Sequence, residues 1–185
     1  MKKTLLLLLP VTAVALATHA QNLNFGVKGG LNLSNDITRF SHYFPSFYAG
    51  GYAELKFSKH FAIQPELVYS RSGSRYKDMY KANQGYLNIP VMAKYYIIPD
   101  LYVEAGPEVN IYLHGIEQDG EYHRNTNGRF RNTNLSAGAG IGYNLPFGLG
   151  FSARYMFGVS NKSENGSLYT SNLQVGAHYT FKRKK

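Results

Sequence analysis

The sequence predicts an all-β fold: an eight-stranded antiparallel up-and-down β-barrel that spans a membrane. Apolar and polar residues alternate with a period of two through eight segments of about 11–14 residues, and a tilted membrane-crossing strand needs about 9–11. The connections between these segments alternate strictly between long and short. No window shows a sustained helical apolar period, and the 185 residues have room for one domain.

The first twenty residues have the layout of a secretory signal peptide. A basic pair precedes an uncharged, leucine-rich run of 14 residues, and Thr18-His19-Ala20 supplies the small residues that a signal peptidase reads. The run is too short for a spanning helix, which needs about 20 residues. We therefore expect residues 1–20 to be removed, residues 21–181 to form the barrel domain and residues 182–185 to be a basic periplasmic tail.

Each predicted strand presents one apolar and one polar face. In the first strand, Phe25, Val27 and Leu31 fall on one face, whereas Lys28 and Asn32 fall on the other. The predicted strands are 23–33, 47–57, 61–71, 86–97, 101–114, 134–145, 149–160 and 169–181. Short connections lie at 58–60, 98–100 and 146–148, and long ones lie at 35–46, 72–85, 115–133 and 161–168. Outer-membrane barrels have this arrangement, with tight turns in the periplasm and longer loops outside.

Two features place the apolar face in lipid rather than inside the barrel. The apolar face carries about six residues per strand, mostly large ones, and the interior of an eight-stranded barrel is too narrow to hold them all. Glycines concentrate on the polar face, where they would make room in a crowded lumen. These glycines are Gly26, Gly30, Gly50, Gly106, Gly138, Gly140, Gly142, Gly150, Gly158 and Gly176. A soluble periplasmic ligand-binding barrel is therefore disfavoured.

The polar face would carry four acids and four bases into the lumen. The eight residues of this predicted charge network are Lys28, Glu54, Lys56, Glu66, Lys94, Glu104, Glu108 and Arg154. Because an unpaired buried charge is costly, we expect these groups to pair and to form a structural plug. The alternative is a narrow porin-like channel for ions or small solutes.

Aromatic residues cluster at the ends of the predicted strands, as in the girdles at the interfaces of membrane barrels. The girdle beside the short turns and the C-terminus is predicted to contain Phe57, Phe61, Tyr95, Tyr143, Phe147, Phe151, Tyr179 and Phe181. A second girdle beside the long loops would contain Phe47, Tyr69, Phe157 and Tyr169. The two girdles together predict contact with outer-membrane lipid.

Composition excludes several classes of site and partner. The absence of cysteine rules out disulfides, a cysteine-ligated zinc site and a cysteine nucleophile. Four of the basic residues form the C-terminal tail rather than a folded basic face, which disfavours nucleic acid as a partner. The residues His114, Asp119, Glu121 and His123 match no compact metal site. We therefore predict no enzyme activity, no catalytic or metal-binding residues and no cofactor.

Three prolines interrupt predicted strands, at Pro65, Pro90 and Pro107. A proline cannot donate a ladder hydrogen bond, and a closed barrel has no edge strand to accommodate it. We therefore expect a local β-bulge at each of the three.

The prolines lie in sequence motifs that resemble those of a known family. The set of motifs is Phe25-Gly26-Val27-Lys28-Gly29-Gly30-Leu31-Asn32-Leu33-Ser34, Gln64-Pro65-Glu66-Leu67-Val68-Tyr69-Ser70, Tyr86-Leu87-Asn88-Ile89-Pro90-Val91, Lys94-Tyr95-Tyr96 and Val103-Glu104-Ala105-Gly106-Pro107. In this order they resemble the PorT-like, porin-family outer-membrane barrels of Bacteroidetes-type bacteria, across the mature chain. The family pattern contains no catalytic residues. One departure is that Tyr179-x-Phe181 is followed by four basic residues, whereas such barrels usually end on an aromatic residue.

The resemblance implies an integral outer-membrane barrel whose partners are outer-membrane lipid, the barrel-assembly machinery during insertion and proteins of the cell envelope. Some members of the family serve secretion or gliding machinery. The functional hypothesis is therefore a plugged barrel that is an accessory to envelope or secretion machinery, with extracellular loops that contact partners or lipid. The narrow channel remains the alternative.

Overall fold

The computed structural model describes residues 22–36, 44–76, 80–119, 122–125, 133–159 and 170–181. The described residues form the strands β1 (Asn22–Asp36), β2 (Phe44–Lys56), β3 (Phe61–Tyr76), β4 (Tyr80–Tyr96), β5 (Leu101–Asp119), β6 (Tyr122–Asn125), β7 (Thr133–Asn144), β8 (Leu149–Gly158) and β9 (Thr170–Phe181). Across these residues, no helix is long and apolar enough to cross a membrane. The predicted signal peptide and C-terminal tail lie outside the described residues and stay predictions.

Eight of these strands form a closed, entirely antiparallel barrel. The strands β1 to β5 pair in order, β5 pairs with β7, and β7 to β9 continue to the pairing of β9 with β1 that closes the ring. Within the part of the chain that the structure describes, the short strand β6 pairs only with the far end of β5. This architecture confirms the predicted fold class. We call the end with the three short turns the turn side and the opposite end the loop side.

The strand register fixes the shape of the barrel. Pairing can be followed once around the ring, from β1 back to β1, and the path returns ten residues further along that strand. The path runs Asn22, Lys56, Ala62, Lys94, Glu104, Gly140, Arg154, Gln174 and Asn32. For strands spaced as in ordinary sheets, this shift corresponds to a strand tilt of about 40° and a backbone radius of about 8 Å.

The two faces of the wall are oriented as predicted, with the apolar face outside. Phe25 is 56 % exposed and Val175 is 46 % exposed, whereas Glu104 and Arg154 are 4 % and 3 % exposed. The alternation along the strands therefore separates a lipid-facing surface from a buried polar interior. Such a surface would be unfavourable in water, so the fold requires an apolar solvent around its circumference.

On the loop side, several strands continue beyond the predicted boundaries. The expected loops 72–85 and 115–133 are partly strand, because β3 ends at Tyr76, β4 begins at Tyr80 and β5 ends at Asp119. A lipid-facing side is not needed outside the membrane, so the period-two signal fades before the backbone pairing ends. We name the resulting projection the loop-side sheet, which comprises residues 71–76, 80–85, 114–119 and 122–125.

The expectation of bulges at the prolines is wrong. Pro65 keeps Val91 of β4 as its partner but loses its pairing with β2, and the register is the same on both sides of the gap. Pro90 and Pro107 likewise lose pairing only with the preceding strand. A proline has no N–H to donate, so ladder bonds are lost on the side to which that N–H would point. The pairing with the strand on the other side keeps the register unchanged. In the β4–β5 ladder the register shifts elsewhere, between Gly85 and Tyr86.

Candidate functional site: the charged lumen

A cluster of ion pairs occupies the centre of the lumen. Arg154 on β8 donates to both oxygens of Glu66 on β3, from Nη2 at 2.7 Å and from Nη1 at 3.2 Å. Its Nε donates to Glu104 Oε1 on β5 at 2.8 Å. Lys28 Nζ on β1 lies 3.0 Å from Glu66 Oε2, and Gln64 Nε2 donates to Glu66 Oε1 at 2.7 Å. This central cluster therefore joins four strands of the barrel through side chains alone.

The strand order makes Arg154 a link across the full width of the barrel. Strands β8 and β3 are four positions apart in a ring of eight, so they face each other. A guanidinium is suited to this position because its planar fork binds a carboxylate through two parallel hydrogen bonds. All four charged members of the central cluster are buried, so the pairs are largely shielded from water.

A second group of charges lies nearer the turn side. Lys94 Nζ is 3.2 Å from Glu54 Oε2, and the Tyr96 hydroxyl donates to the same oxygen at 2.7 Å. Lys56 Nζ lies 3.6 Å from Glu54 Oε1, with its side chain one-third exposed. The two ammonium groups also lie over tyrosine rings, with Lys94 4.0 Å from the Tyr102 centroid and Lys56 4.4 Å from that of Tyr96. Such contacts add cation–π attraction to the ion pairs.

Aromatic side chains close the turn side of the lumen around this group. Tyr96 and Tyr102 are each 2 % exposed, and their ring centroids are 5.5 Å apart. The Tyr52 hydroxyl shares a hydrogen bond with Thr180 Oγ1 at 2.8 Å, and His178 lies edge-on to the Tyr52 and Tyr102 rings. These large side chains leave the turn-side end densely filled.

Glycines on the facing strands make this filling possible. A Cβ added at Gly26 would overlap the ring of Tyr52, and one added at Gly142 would overlap the ring of Tyr102. The polar-face glycines that the sequence places in the lumen therefore include two that accommodate the tyrosines of the turn-side end. Only a residue without a side chain leaves enough space for a ring against the neighbouring backbone.

Glu108 departs from the expectation that every lumen charge would be paired. It is 3 % exposed, and its pairing with a base is not found among the described residues. Its hydrogen bond comes from Asn88 Nδ2 at 3.4 Å, which is a long distance for such a bond. The other seven predicted lumen residues all take part in ion pairs.

The predicted turn-side girdle residues lie near the turn-side rim. Phe57 is half-buried and packs 6.1 Å from Phe61, measured between ring centroids. The exposed members are Phe61, Tyr95, Tyr143, Phe147, Phe151, Tyr179 and Phe181. On the loop side, Phe47 and Phe157 are exposed and Tyr69 is half-buried, while Tyr169 lies outside the described residues.

Sequence reasoning missed a row of asparagines in the loop-side half of the lumen. Asn88, Asn110 and Asn134 are register partners on the adjacent strands β4, β5 and β7, and all three are buried. Their signal in the sequence was their position on the polar face, which alone does not distinguish them from other lumen residues. Among the described residues, no group of three or more His, Cys, Asp or Glu side chains could hold a metal ion.

A closed barrel with an apolar exterior, a buried charged lumen and aromatic residues at its rim is an integral membrane β-barrel of the bacterial outer-membrane type. The chain belongs to the outer membrane protein beta-barrel domain family, whose sequence model matches residues 19–164. Family and fold place the protein in the outer membrane.

Two solved structures are similar to this chain in fold. Neisserial surface protein A has a TM-score of 0.59 at 10 % identity, and the match covers 86 % of this chain and 97 % of that one. Ail, the attachment invasion locus protein of Yersinia pestis, has a TM-score of 0.55 at 14 % identity, with the same coverage of 86 % and 97 %. At these identities the likeness is one of fold alone. A comparison with curated proteins finds no match.

Proposed function

We propose that the protein is a non-conducting outer-membrane barrel of the PorT-like, porin-family group. Its lumen is a structural plug, and its loop side meets partners in the cell envelope as an accessory to envelope or secretion machinery. We assign it no catalytic activity. The observation that carries the proposal is the bridge from Arg154 to Glu66, which spans the barrel between opposite walls.

The plug follows from the distances within the lumen. Arg154 contacts Glu66 at 2.7 Å and Glu104 at 2.8 Å. An ion or solute entering from the loop side would have to separate Arg154 from both carboxylates. Beyond that level it would meet the buried pair of Tyr96 and Tyr102. Separating a buried ion pair leaves uncompensated charge in a medium of low dielectric constant, so the closed arrangement is favoured.

The narrow channel is the second candidate, and one observation favours it. The loop-side half of the lumen contains buried polar atoms that have no hydrogen-bond partner in the described part of the chain, including Asn88 Oδ1 and both side-chain polar atoms of Asn134. Polar groups of this kind are suited to contact with water. For conduction, however, the wet region would have to continue past the central cluster to the turn side.

The loop-side sheet supports the proposed contact with envelope partners. It projects past the barrel, and among the described residues its last strand, β6, pairs with β5 alone. An open strand edge offers unpaired N–H and C=O groups to another chain, and many recognition surfaces use this mode. Removal of residues 1–20 and insertion by the barrel-assembly machinery, with Tyr179 and Phe181 near the C-terminus, complete the proposal.

Planar-bilayer recording tests the plug. The wild-type protein should give no discrete conductance steps, whereas the double variant Glu66→Ala/Arg154→Ala, which removes the bridge, should give measurable leakage. The matched control is Val175→Ala on the outer wall, which should stay silent. Reproducible steps from the wild type would overturn the plug and establish the channel in its place.

Site-specific photo-crosslinking in whole cells tests the partner surface. A photoreactive residue at position 118, in the loop-side sheet, should yield crosslinks to envelope proteins, and one at position 59, in a short turn, serves as the control. Identical products from both positions, or none from position 118, would count against a loop-side partner.

A further inference from the structure

The loop-side half of the lumen contains a compact polar patch on three adjacent strands. Asn88, Asn110 and Asn134 form a row across β4, β5 and β7, and Glu108 and Ser136 form the next paired positions toward the turn side on β5 and β7. Direct contacts join them, because Asn88 Nδ2 donates to Glu108 Oε1 at 3.4 Å and Asn110 Nδ2 donates to Ser136 Oγ at 2.8 Å. We call these five residues the Glu108 patch.

Four residues of the Glu108 patch are buried and Ser136 is half-buried, and the hydrogen-bonding capacity of the patch is incompletely satisfied. Asn134 is 3 % exposed, and neither of its side-chain polar atoms has a hydrogen-bond partner among the residues that the structure describes. The same holds for the side-chain oxygen of Asn88, which is also 3 % exposed. Native proteins seldom leave buried polar atoms without partners, so a cluster of them indicates a bound species.

Charge identifies the kind of species. The central cluster balances two acids, Glu66 and Glu104, with two bases, Lys28 and Arg154. Glu108 lies outside those pairs, so within the described residues its patch contains one acid, a single negative charge when ionised, without a contacting base. A buried carboxylate in this position is costly unless a positive charge accompanies it.

We propose that the Glu108 patch binds one monovalent alkali cation, Na⁺ or K⁺, that enters from the loop side. The Glu108 carboxylate supplies the compensating charge, and the side-chain oxygens of Asn134 and Ser136 complete a set of hard oxygen ligands. A single carboxylate matches one positive charge. Calcium and magnesium sites ordinarily include carboxylates together with water, and a second positive charge here would be left unbalanced close to the central cluster.

Thermal unfolding of the full chain in detergent micelles tests this assignment. The unfolding midpoint is measured by circular dichroism in Na⁺, in K⁺ and in the bulky cation N-methyl-D-glucamine, at constant ionic strength. A cation that binds only the folded barrel raises the folding equilibrium constant, by about elevenfold at a tenfold excess over Kd. We expect a saturable rise with Na⁺ or K⁺ and none with N-methyl-D-glucamine.

Variants test whether the effect of the cation on the unfolding midpoint arises at the Glu108 patch. Glu108→Gln should abolish the difference between the cations, whereas Glu54→Gln, the same change in the paired turn-side group, should retain it. Where Glu108→Gln fails to fold, Asn134→Ala should weaken the Na⁺ dependence at least threefold. In the wild type, exchange of N-methyl-D-glucamine for Na⁺ should shift the side-chain amide NMR signals of Asn88, Asn110 and Asn134.

Two results would overturn the site. One is a wild-type midpoint and amide spectrum that are the same in all three cations. The other is a cation dependence that survives in Glu108→Gln, or one that is undiminished in Asn134→Ala. Both readouts are independent of conductance, so the cation site and the plugged lumen can fail separately.

Discussion

Replacing Arg154 with methionine tests whether ion pairs hold the opposite walls of the barrel together. The guanidinium is buried and donates three hydrogen bonds, two to Glu66 and one to Glu104. After its loss, Glu66 keeps Lys28 at 3.0 Å, whereas within the described residues Glu104 keeps no other side-chain hydrogen bond or ion pair. Removing one partner of a buried ion pair typically costs about 3–5 kcal/mol, so we expect a loss of unfolding free energy in that range.

We expect most of that loss of unfolding free energy to arise at Glu104. Its Oε1 loses Arg154, and its Oε2 is already buried with no hydrogen-bond partner in the described ranges. Adding Glu104→Gln to Arg154→Met removes the uncompensated charge and should recover about 1–3 kcal/mol. Adding Glu66→Gln to Arg154→Met should recover less, because that change takes a partner away from Lys28. The two double variants therefore distinguish a charge effect from a simple loss of packing.

Urea unfolding of the protein inserted in lipid vesicles provides the measurement. The chain has 16 tyrosines and no tryptophan, so unfolding is followed by circular dichroism and tyrosine emission. An unfolding free energy of Arg154→Met within about 1 kcal/mol of the wild type would refute the reasoning, because exposed ion pairs contribute only that much. Equal recovery by Glu104→Gln and Glu66→Gln would also contradict the assignment of the loss to Glu104.

Two further variants test the packing of the lumen and the orientation of the wall. Gly26→Val places a side chain where the ring of Tyr52 lies, so it should destabilise the barrel by about 1–3 kcal/mol in the same urea assay. Gly29→Val is the matched control, because Gly29 lies on the outer face and the introduced valine side chain would point outward. This variant should lose less unfolding free energy than Gly26→Val. Val175→Arg puts a charge on the lipid-facing wall and should cost about 2–4 kcal/mol, against about 0–1 for Phe147→Arg at the rim. Equal costs within either pair would contradict the assigned faces.

The alternation of residues was sufficient to predict the barrel and the orientation of its wall. Period two fixes which side chains share a face, so Lys94 and Glu104 could be placed in the lumen without knowledge of the register. The partner of Arg154 could not be predicted in this way. Glu66 lies 88 residues away in sequence, and its contact with Arg154 depends on the shift of ten residues that accumulates around the whole ring.

Neither the unpaired state of Glu108 nor the unshifted register at the prolines could be predicted from the sequence. Both depend on contacts with particular neighbouring strands. The sequence contains equal numbers of lumen acids and bases, but pairing depends on local geometry: two bases lie beside Glu54, while no base among the described residues pairs with Glu108. At Pro65 the ladder to β2 is interrupted, but the intact ladder to β4 maintains the register. In a closed barrel each strand is held from both sides, so one missing bond need not produce a bulge.

The lumen charges act more on the uniqueness of the fold than on its net stability. A buried ion pair can often be replaced by apolar residues with little loss, because desolvation offsets much of the attraction between the charges. A slip of one residue in a strand, however, would turn its charged side chains outward. For Lys94 or Arg154 that exposure to hydrocarbon would cost about 2–4 kcal/mol each near the bilayer midplane. The same slip would carry large apolar residues into a lumen already filled by Tyr96 and Tyr102. Register errors are therefore penalised on both faces of the wall at once, which explains why a lumen that conducts nothing would still carry so many charges.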